Sequence, residues 1–247
     1  MRTTTPGLVL REVKFRESDR MITILTPQGV VSASAKGSLR LKSKLFSACG
    51  LFCYSDFTFF EGRSGSCSVD EAQVKEVFFG LRSSVEGLAL AMYLAELAAT
   101  LQPTGAEAAG ILRLLLNTLY LLSETKKDPR QIRAVAELRL LSLAGYMPNI
   151  VMCADCGRYE GGGFHLDVQG GQLLCADCAA AKGLQPNLNA AALAALRHVL
   201  LSEDKKIFSF SIAPDALAQL SRISQAQVLS VLEKPPKTLD FLNSVLP

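Results

Sequence analysis

Cys153-Ala154-Asp155-Cys156, then eighteen residues, then Cys175-Ala176-Asp177-Cys178 is the stretch on which the reading of this 247-residue chain turns. Two Cys-x-x-Cys pairs at this separation match the four-thiolate pattern of a zinc ribbon. Each pair can sit on a tight turn with both sulfurs aimed at one ion. Four thiolates about 2.3 Å from a tetrahedral ion leave no open coordination position. Gly157, Gly161, Gly162, Gly163, Gly170 and Gly171 permit sharp turns between the pairs, and Phe164-His165-Leu166-Asp167-Val168 reads as one strand of the ribbon. A ribbon this small has almost no core, so a metal supplies its folding free energy. Two redox dithiols or two disulfides are the competing readings. A redox Cys-x-x-Cys normally appears once, near a βαβ pattern, and none precedes either pair. The expectation is one structural Zn2+ per chain on Cys153, Cys156, Cys175 and Cys178, with His165 on the ribbon surface.

Outward from the ribbon, composition bounds the rest. The length suits one large or two small domains, and 49% hydrophobic residues exclude a disordered chain. Beyond the four ribbon cysteines remain Cys49, Cys53 and Cys67. An odd remainder in apolar surroundings points to reduced thiols and a cytoplasmic protein. Met1-Arg2-Thr3-Thr4-Thr5-Pro6 has no long apolar run and no small-residue cleavage site of a secretory leader. The most apolar runs, residues 88–101 and 111–122, are broken by Glu96, Arg113 and Asn117 and fall short of the roughly 20 residues of a membrane span. They read as buried helices.

The first eighty residues read as β: residues 8–15, 21–26, 30–35, 51–60 and 74–79, with a turn at Pro27-Gln28-Gly29 and another from Glu61. Between Glu61 and Ser68 the sequence leaves a loop and a bulged hairpin equally open. Five short strands suit a small barrel, and the five-stranded OB-fold leads at that strand count. Phe52, Phe57, Phe59 and Phe60 are expected in the barrel core, since they lie in the most apolar strand. Near Leu81 the pattern becomes helical. Ser83 with Glu86, and Thr104 with Glu107, have capping-box spacing. Asp128-Pro129 opens a third helix that stops at Gly145. Asn189 caps a helix through Leu201, and residues 214–220, 225–232 and 238–246 read as further helices. The expectation is an α+β multidomain chain: an OB-fold domain over 1–80, then an α-helical domain over 81–247 with a four-cysteine zinc ribbon inserted at about 150–182.

Charge is uneven. Residues 1–44 hold nine Lys/Arg and three Asp/Glu, a balance of +6, while the remaining 203 carry −3, giving +3 in all. A basic segment on a nearly neutral body points to a polyanion partner. Arg11, Lys14, Arg16 and Arg20 straddle the first hairpin, and Lys36, Arg40, Lys42 and Lys44 follow the third strand. Eight cations on two segments can track a phosphate backbone, while Phe15 or Phe46 meets base faces. For each single cation the plain alternative is a solvated surface charge. No phosphate loop and no Gly-x-Ser-x-Gly elbow occurs. With only His165 and His198, a histidine-based catalytic set is not expected, and the chain reads as a non-enzyme.

These residues resemble a known family. Leu8-Val9-Leu10-Arg11, Glu17-Ser18-Asp19-Arg20, Leu25-Thr26-Pro27-Gln28-Gly29, Ala35-Lys36-Gly37-Ser38-Leu39-Arg40 and Lys42-Ser43 are similar to the N-terminal domain of RecO, a bacterial recombination mediator. Glu137-Leu138-Arg139-Leu140-Leu141-Ser142-Leu143-Ala144-Gly145-Tyr146-Met147-Pro148 resembles the helix leading into that family's ribbon, with Ala136 where the family often has Phe. The resemblance implies an OB-fold followed by helices with the ribbon inserted. It implies binding to single- and double-stranded DNA and annealing of complementary strands. It also implies partnership with RecR in loading RecA onto strands coated by single-stranded-DNA-binding protein (SSB), and binding to SSB's acidic, apolar C-terminal tail. Arg130, Arg133 and Arg139 are weighed for that tail, with a solvated helix face as the better reading. Alternatives are a zinc-ribbon DNA-binding regulator or adaptor without annealing activity, a thiol-redox enzyme, and an adaptor for acidic protein.

Overall fold

The first strand sets the barrel. In a computed structural model that describes residues 2–62 and 66–246, β1 runs over Arg2–Lys14, β2 over Arg20–Thr26, β3 over Gly29–Ala35, β4 over Cys53–Glu61 and β5 over Cys67–Val77. β1 is long enough to serve two neighbours: Arg2 to Leu8 pairs with β4, and Leu8 to Lys14 with β2. A bulge between Val9 and Arg11 turns the strand from one partner to the other. The strands close in the order β1-β2-β3-β5-β4, the last contact being the parallel pair Ser34 and Ser68. A short helix α1, Leu45–Ala48, joins β3 to β4. This five-stranded closed barrel is the OB-fold.

Alternation along the strands fills the barrel. Ile22 and Ile24, Ala33 and Ala35, and Phe57 and Phe59 are spaced by two and point inward with Val9 and Val69. Small alanines on β3 leave room for the stacked rings of Phe57 and Phe59, 5.8 Å apart. Phe52 and Phe60 are exceptions to the expected core: Phe52 precedes β4 at φ +60° and is buried outside the barrel, and Phe60 turns to solvent. Phe60 follows Phe59, so the period of two turns it outward, where it is 47% exposed. Gly7 is dictated by packing: a Cβ there would lie 2.5 Å from Ile24 Cγ2. β5 begins at Cys67, well before the expected 74. Glu61 pairs with Cys67 and Gly62 N donates to Ser66 O, so β4 and β5 stay paired up to Gly62 and Ser66; Arg63, Ser64 and Gly65 lie outside the described residues.

Helix α2, Val85–Leu101, and α3, Gly105–Glu124, follow. Leu8, Leu10 and Phe52 face Ala91, Leu94 and Leu115, so these helices cover an outer face of the barrel that is itself apolar. The cap of α2 is Ser84, one residue later than the spacing indicated; its Oγ accepts from Gly87 N at 3.0 Å. Thr104 stands at the N-cap of α3 but makes no side-chain cap bond. At 20 residues and a mean hydropathy of 1.2, α3 is long and apolar enough to cross a membrane, contrary to the expectation of a shorter run. Here Ile111, Leu115 and Leu119 are buried, and Gly105 N donates to Gln28 O on the β2–β3 turn.

One compact unit consists of the chain up to Lys126 with Thr238–Val245, and the other of Lys127–Lys237. In the first, α8 (Leu239–Val245) returns to α2, and Thr238 donates through N and Oγ1 to Glu96 Oε2. The second contains α4 (Pro129–Leu143), β6 (Gly163–Asp167), β7 (Gln172–Cys175), α5 (Ala176–Ala181), β8 (Leu188–Asn189), α6 (Ala190–Leu201) and α7 (Pro214–Val231). Asp128 caps α4 ahead of Pro129, and Asn189 caps α6 through a 2.8 Å bond from Ala192 N. The two expected helices over 214–232 are one. Its polar buried side, Ser224, donates to Glu137 on α4, which pairs with Arg133 at 2.9 Å. Glu137 is fully buried, so both its oxygens need these partners.

Candidate nucleic-acid interface and metal centre

Five of the eight expected cations, Arg16, Lys36, Arg40, Lys42 and Lys44, sit on two connectors that are tied to each other, while Arg11 and Lys14 lie on β1 and Arg20 on β2. Residues 15–19 join β1 to β2, and residues 36–44 join β3 to α1. Leu39 N donates to Ser18 O at 2.9 Å, Gly37 N donates to Asp19 Oδ1 at 2.8 Å, and Phe15 N donates to Asp19 O at 3.0 Å. Successive turns fix the second segment: Ser38 N and Oγ donate to Ala35 O, Arg40 N to Gly37 O, and Ser43 N to Arg40 O. Ser38 is fully buried. The connector is therefore a shaped surface of the barrel, not a loose tail. Lys36, Arg40, Lys42 and Lys44 are exposed on it, Arg16 is exposed on the β1–β2 turn, and Arg11 and Lys14 are exposed on β1 itself. Among the described residues none of the seven forms an ion pair, whereas Arg2 and Lys75 elsewhere on the barrel pair with Asp70 and Asp56. Unpaired exposed cations keep their full field for a polyanion.

Arg20 departs from the set. It is 8% exposed. Its Nε lies 3.1 Å from Glu12 Oε2, its Nη1 donates to Phe46 O at 2.9 Å, and the guanidinium stacks on the Phe46 ring. It fastens α1 to the barrel and offers no charge to a surface ligand. Phe15 is 51% exposed, with Arg16 over its ring. Phe46 is half-buried and occupied by Arg20.

Cys153, Cys156, Cys175 and Cys178 come together in the second unit. Their sulfurs all lie within 4.8 Å of one another, and Cys156 Sγ is 3.6 Å from Cys175 Sγ. Bonds of about 2.3 Å to a tetrahedral ion place sulfurs about 3.8 Å apart. A disulfide needs about 2.05 Å, and all seven cysteines are free. The residues thus fit a metal ion. The first pair forms a turn in which Cys153 N donates to Arg158 O and Gly157 N to Cys153 O; Gly157 takes φ +73°, which favours glycine. The second pair bridges β7 and α5. Burial pushes the Cys153 thiol up, but backbone N–H groups at Cys175, Cys156 and Asp155 outweigh it and hold it down to about 6. A thiolate is what a metal requires. His165 stays outside, with Nδ1 2.7 Å from Gln185 O. His198 is likewise held by Lys206 O and Ser202.

Several supporting residues carry no motif. Asp155 pairs with Lys182 at 2.7 Å and Asp177 with Arg158 at 2.5 Å, so the aspartate inside each Cys-x-x-Cys meets a cation from outside its own pair. Arg197 on α6 donates to Ile150 O, Val151 O and Tyr159 O, and its guanidinium lies 4.1 Å from the Tyr159 ring centroid. The Asn187 side chain both accepts from Leu166 N and donates to Leu166 O. In sequence each is an ordinary polar residue, and no spacing could have marked it. Of the three arginines weighed for an acidic tail, Arg130 pairs with Asp128, Arg133 with Glu137, and Arg139 with Asp204 and Leu200 O.

Barrel, helices and four-thiol cluster together define an α+β protein with an OB-fold at its start and a metal-competent cysteine ribbon among its later helices. Comparison with known proteins identifies which. A family profile described as Recombination protein O N terminal matches residues 1–78, and one described as Recombination protein O C terminal matches residues 82–240. The chain is 34% identical to the DNA repair protein RecO of Acetivibrio thermocellus, over 98% of this chain and 96% of that one. It is 31% identical to the DNA repair protein RecO of Dehalococcoides mccartyi strain 195 over 98% and 95%, and 29% identical to that of Alkaliphilus metalliredigens over 93% and 94%. The chain belongs to the RecO family of DNA repair proteins.

Proposed function

We propose that this protein is a recombination mediator that binds single- and double-stranded DNA, anneals complementary strands and, with RecR, helps load RecA onto SSB-coated single strands. One observation carries the reading: seven exposed cations that form no ion pair among the described residues, five of them on two mutually hydrogen-bonded connectors of an OB barrel and two, Arg11 and Lys14, on β1. Arg11, Lys14, Arg16, Lys36, Arg40, Lys42 and Lys44 neutralise phosphates without reading bases. Two strands held there repel one another less, and base pairing selects the partner. No step is catalysed by a side chain. The four cysteines hold a single structural zinc ion that keeps the ribbon folded. The acidic, apolar C-terminal tail of SSB is a further partner, and the protein acts in the bacterial cytoplasm.

The test is annealing of two complementary oligonucleotides coated with SSB, followed by fluorescence across a salt series. Pairing should accelerate when the protein is added, and the acceleration should fade as salt rises. No acceleration at low salt, from protein carrying one zinc per chain, would sink annealing as the activity.

A further inference from the structure

Beside the cationic surface lies a cleft of about 630 Å³, within the range of roughly 300–1,000 Å³ that small-molecule sites occupy. It belongs wholly to the barrel unit. Glu12, Arg20 and Phe46 line it, together with Phe78, Phe79 and Arg82 from the N-cap and body of the 3-10 turn Phe79–Ser83 that follows β5. Its charge is simple. Arg20 and Glu12 neutralise each other at 3.1 Å. Arg82 is exposed and forms no ion pair among the described residues. Its apolar surface is unusual, because Phe79 is 70% exposed while its neighbour Phe78 is buried. The cleft also continues the cationic surface: Lys44 is the N-cap of α1, and Phe46 stands two residues on.

We propose that this cleft takes one unpaired nucleobase of single-stranded DNA, stacked on Phe79, with Arg82 on the adjoining phosphate. An aromatic face serves any base, so the site is indifferent to sequence. A base stacked and paired in a duplex presents no free face, so the cleft favours single strands. The proposal rests on the reading of the cationic surface as the DNA site. Continuity with those cations argues for DNA over an acidic, apolar peptide.

Because Phe79 is largely exposed, Phe79→Ser should fold. The full chain and this variant are titrated with an oligothymidine and with an abasic oligonucleotide of the same length, which keeps the phosphates and lacks the bases. Phe79→Ser should weaken oligothymidine binding about tenfold, as expected for one lost aromatic stack, and change abasic binding less than twofold. Arg82→Ala should make the salt dependence of both shallower by about one charge. Equal losses on the two oligonucleotides, or none, would overturn the proposal. So would intact DNA affinity in Phe79→Ser combined with lost binding of an acidic, apolar peptide, which would make the cleft a peptide site. No binding of either oligonucleotide by the unaltered chain removes the parent reading as well. Binding that is indifferent to Phe79 removes this one alone.

Discussion

Arg20 and Arg40 are both arginines in a basic stretch of β-like sequence, and the structure gives them opposite work. Arg40 is exposed beside Lys42 on a turn. Arg20 is held by Glu12, Phe46 O and the Phe46 ring. Their replacements should part company. Lys36→Ala with Arg40→Ala should leave stability within about 0.5 kcal/mol of the parent, as for ordinary surface changes. It should flatten the slope of log affinity against log salt for a single strand by about 1.4, at about 0.7 per phosphate contact. An unchanged slope would remove this surface as the DNA site. Arg20→Ala should instead cost stability, about 1–2 kcal/mol by denaturant titration. It leaves a carbonyl without its donor and Glu12 without its cation; Glu12 is partly exposed, which keeps the figure below that of a fully buried pair. A stability equal to the parent would show that Arg20 does not fasten α1.

At the scale of elements, the ribbon combines four thiols that fit an ion with an arginine that holds it from outside. β6 and β7 pair over four residues each and β8 adds two, too little sheet to stand alone. Chelation should therefore abolish protection of amides 150–189 from hydrogen exchange while the amides of α4, with its buried Arg133–Glu137–Ser224 network, keep theirs. Protected ribbon amides in metal-free protein would show that the ion is dispensable. Arg197 fixes the ribbon from outside through three carbonyls and the Tyr159 ring. Arg197→Lys keeps the charge but loses the planar fork. Metal affinity should fall about tenfold, the lower end of the loss seen when groups supporting ligands are removed, by competition with a chromogenic chelator. Parent-like affinity would make Arg197 irrelevant to the site.

Over the whole molecule, the cationic surface and the cysteine cluster belong to different compact units. Metal-free protein should accordingly keep single-strand affinity within about twofold of the parent, since every cation proposed to meet phosphate lies in the other unit; a loss of tenfold or more would tie the ribbon to DNA binding. The sequence by itself determined the ribbon, because ligand spacing is local chemistry: two Cys-x-x-Cys turns can meet one ion whatever surrounds them. It determined the barrel and most helices in the same way, through the period of two that carries Ile22, Ile24, Phe57 and Phe59 inward and the caps at Asp128 and Asn189. Even Phe60 follows that period once the strand's register is known. The tertiary structure alone decided which side chains were free. Strand pairing brought Glu12 to Arg20, folding put α2 and α3 on the barrel's apolar flank, and Arg197 reached carbonyls nearly forty residues or more away in sequence. Burial and partnership arise between segments distant along the chain, and a sequence read residue by residue carries no measure of that distance.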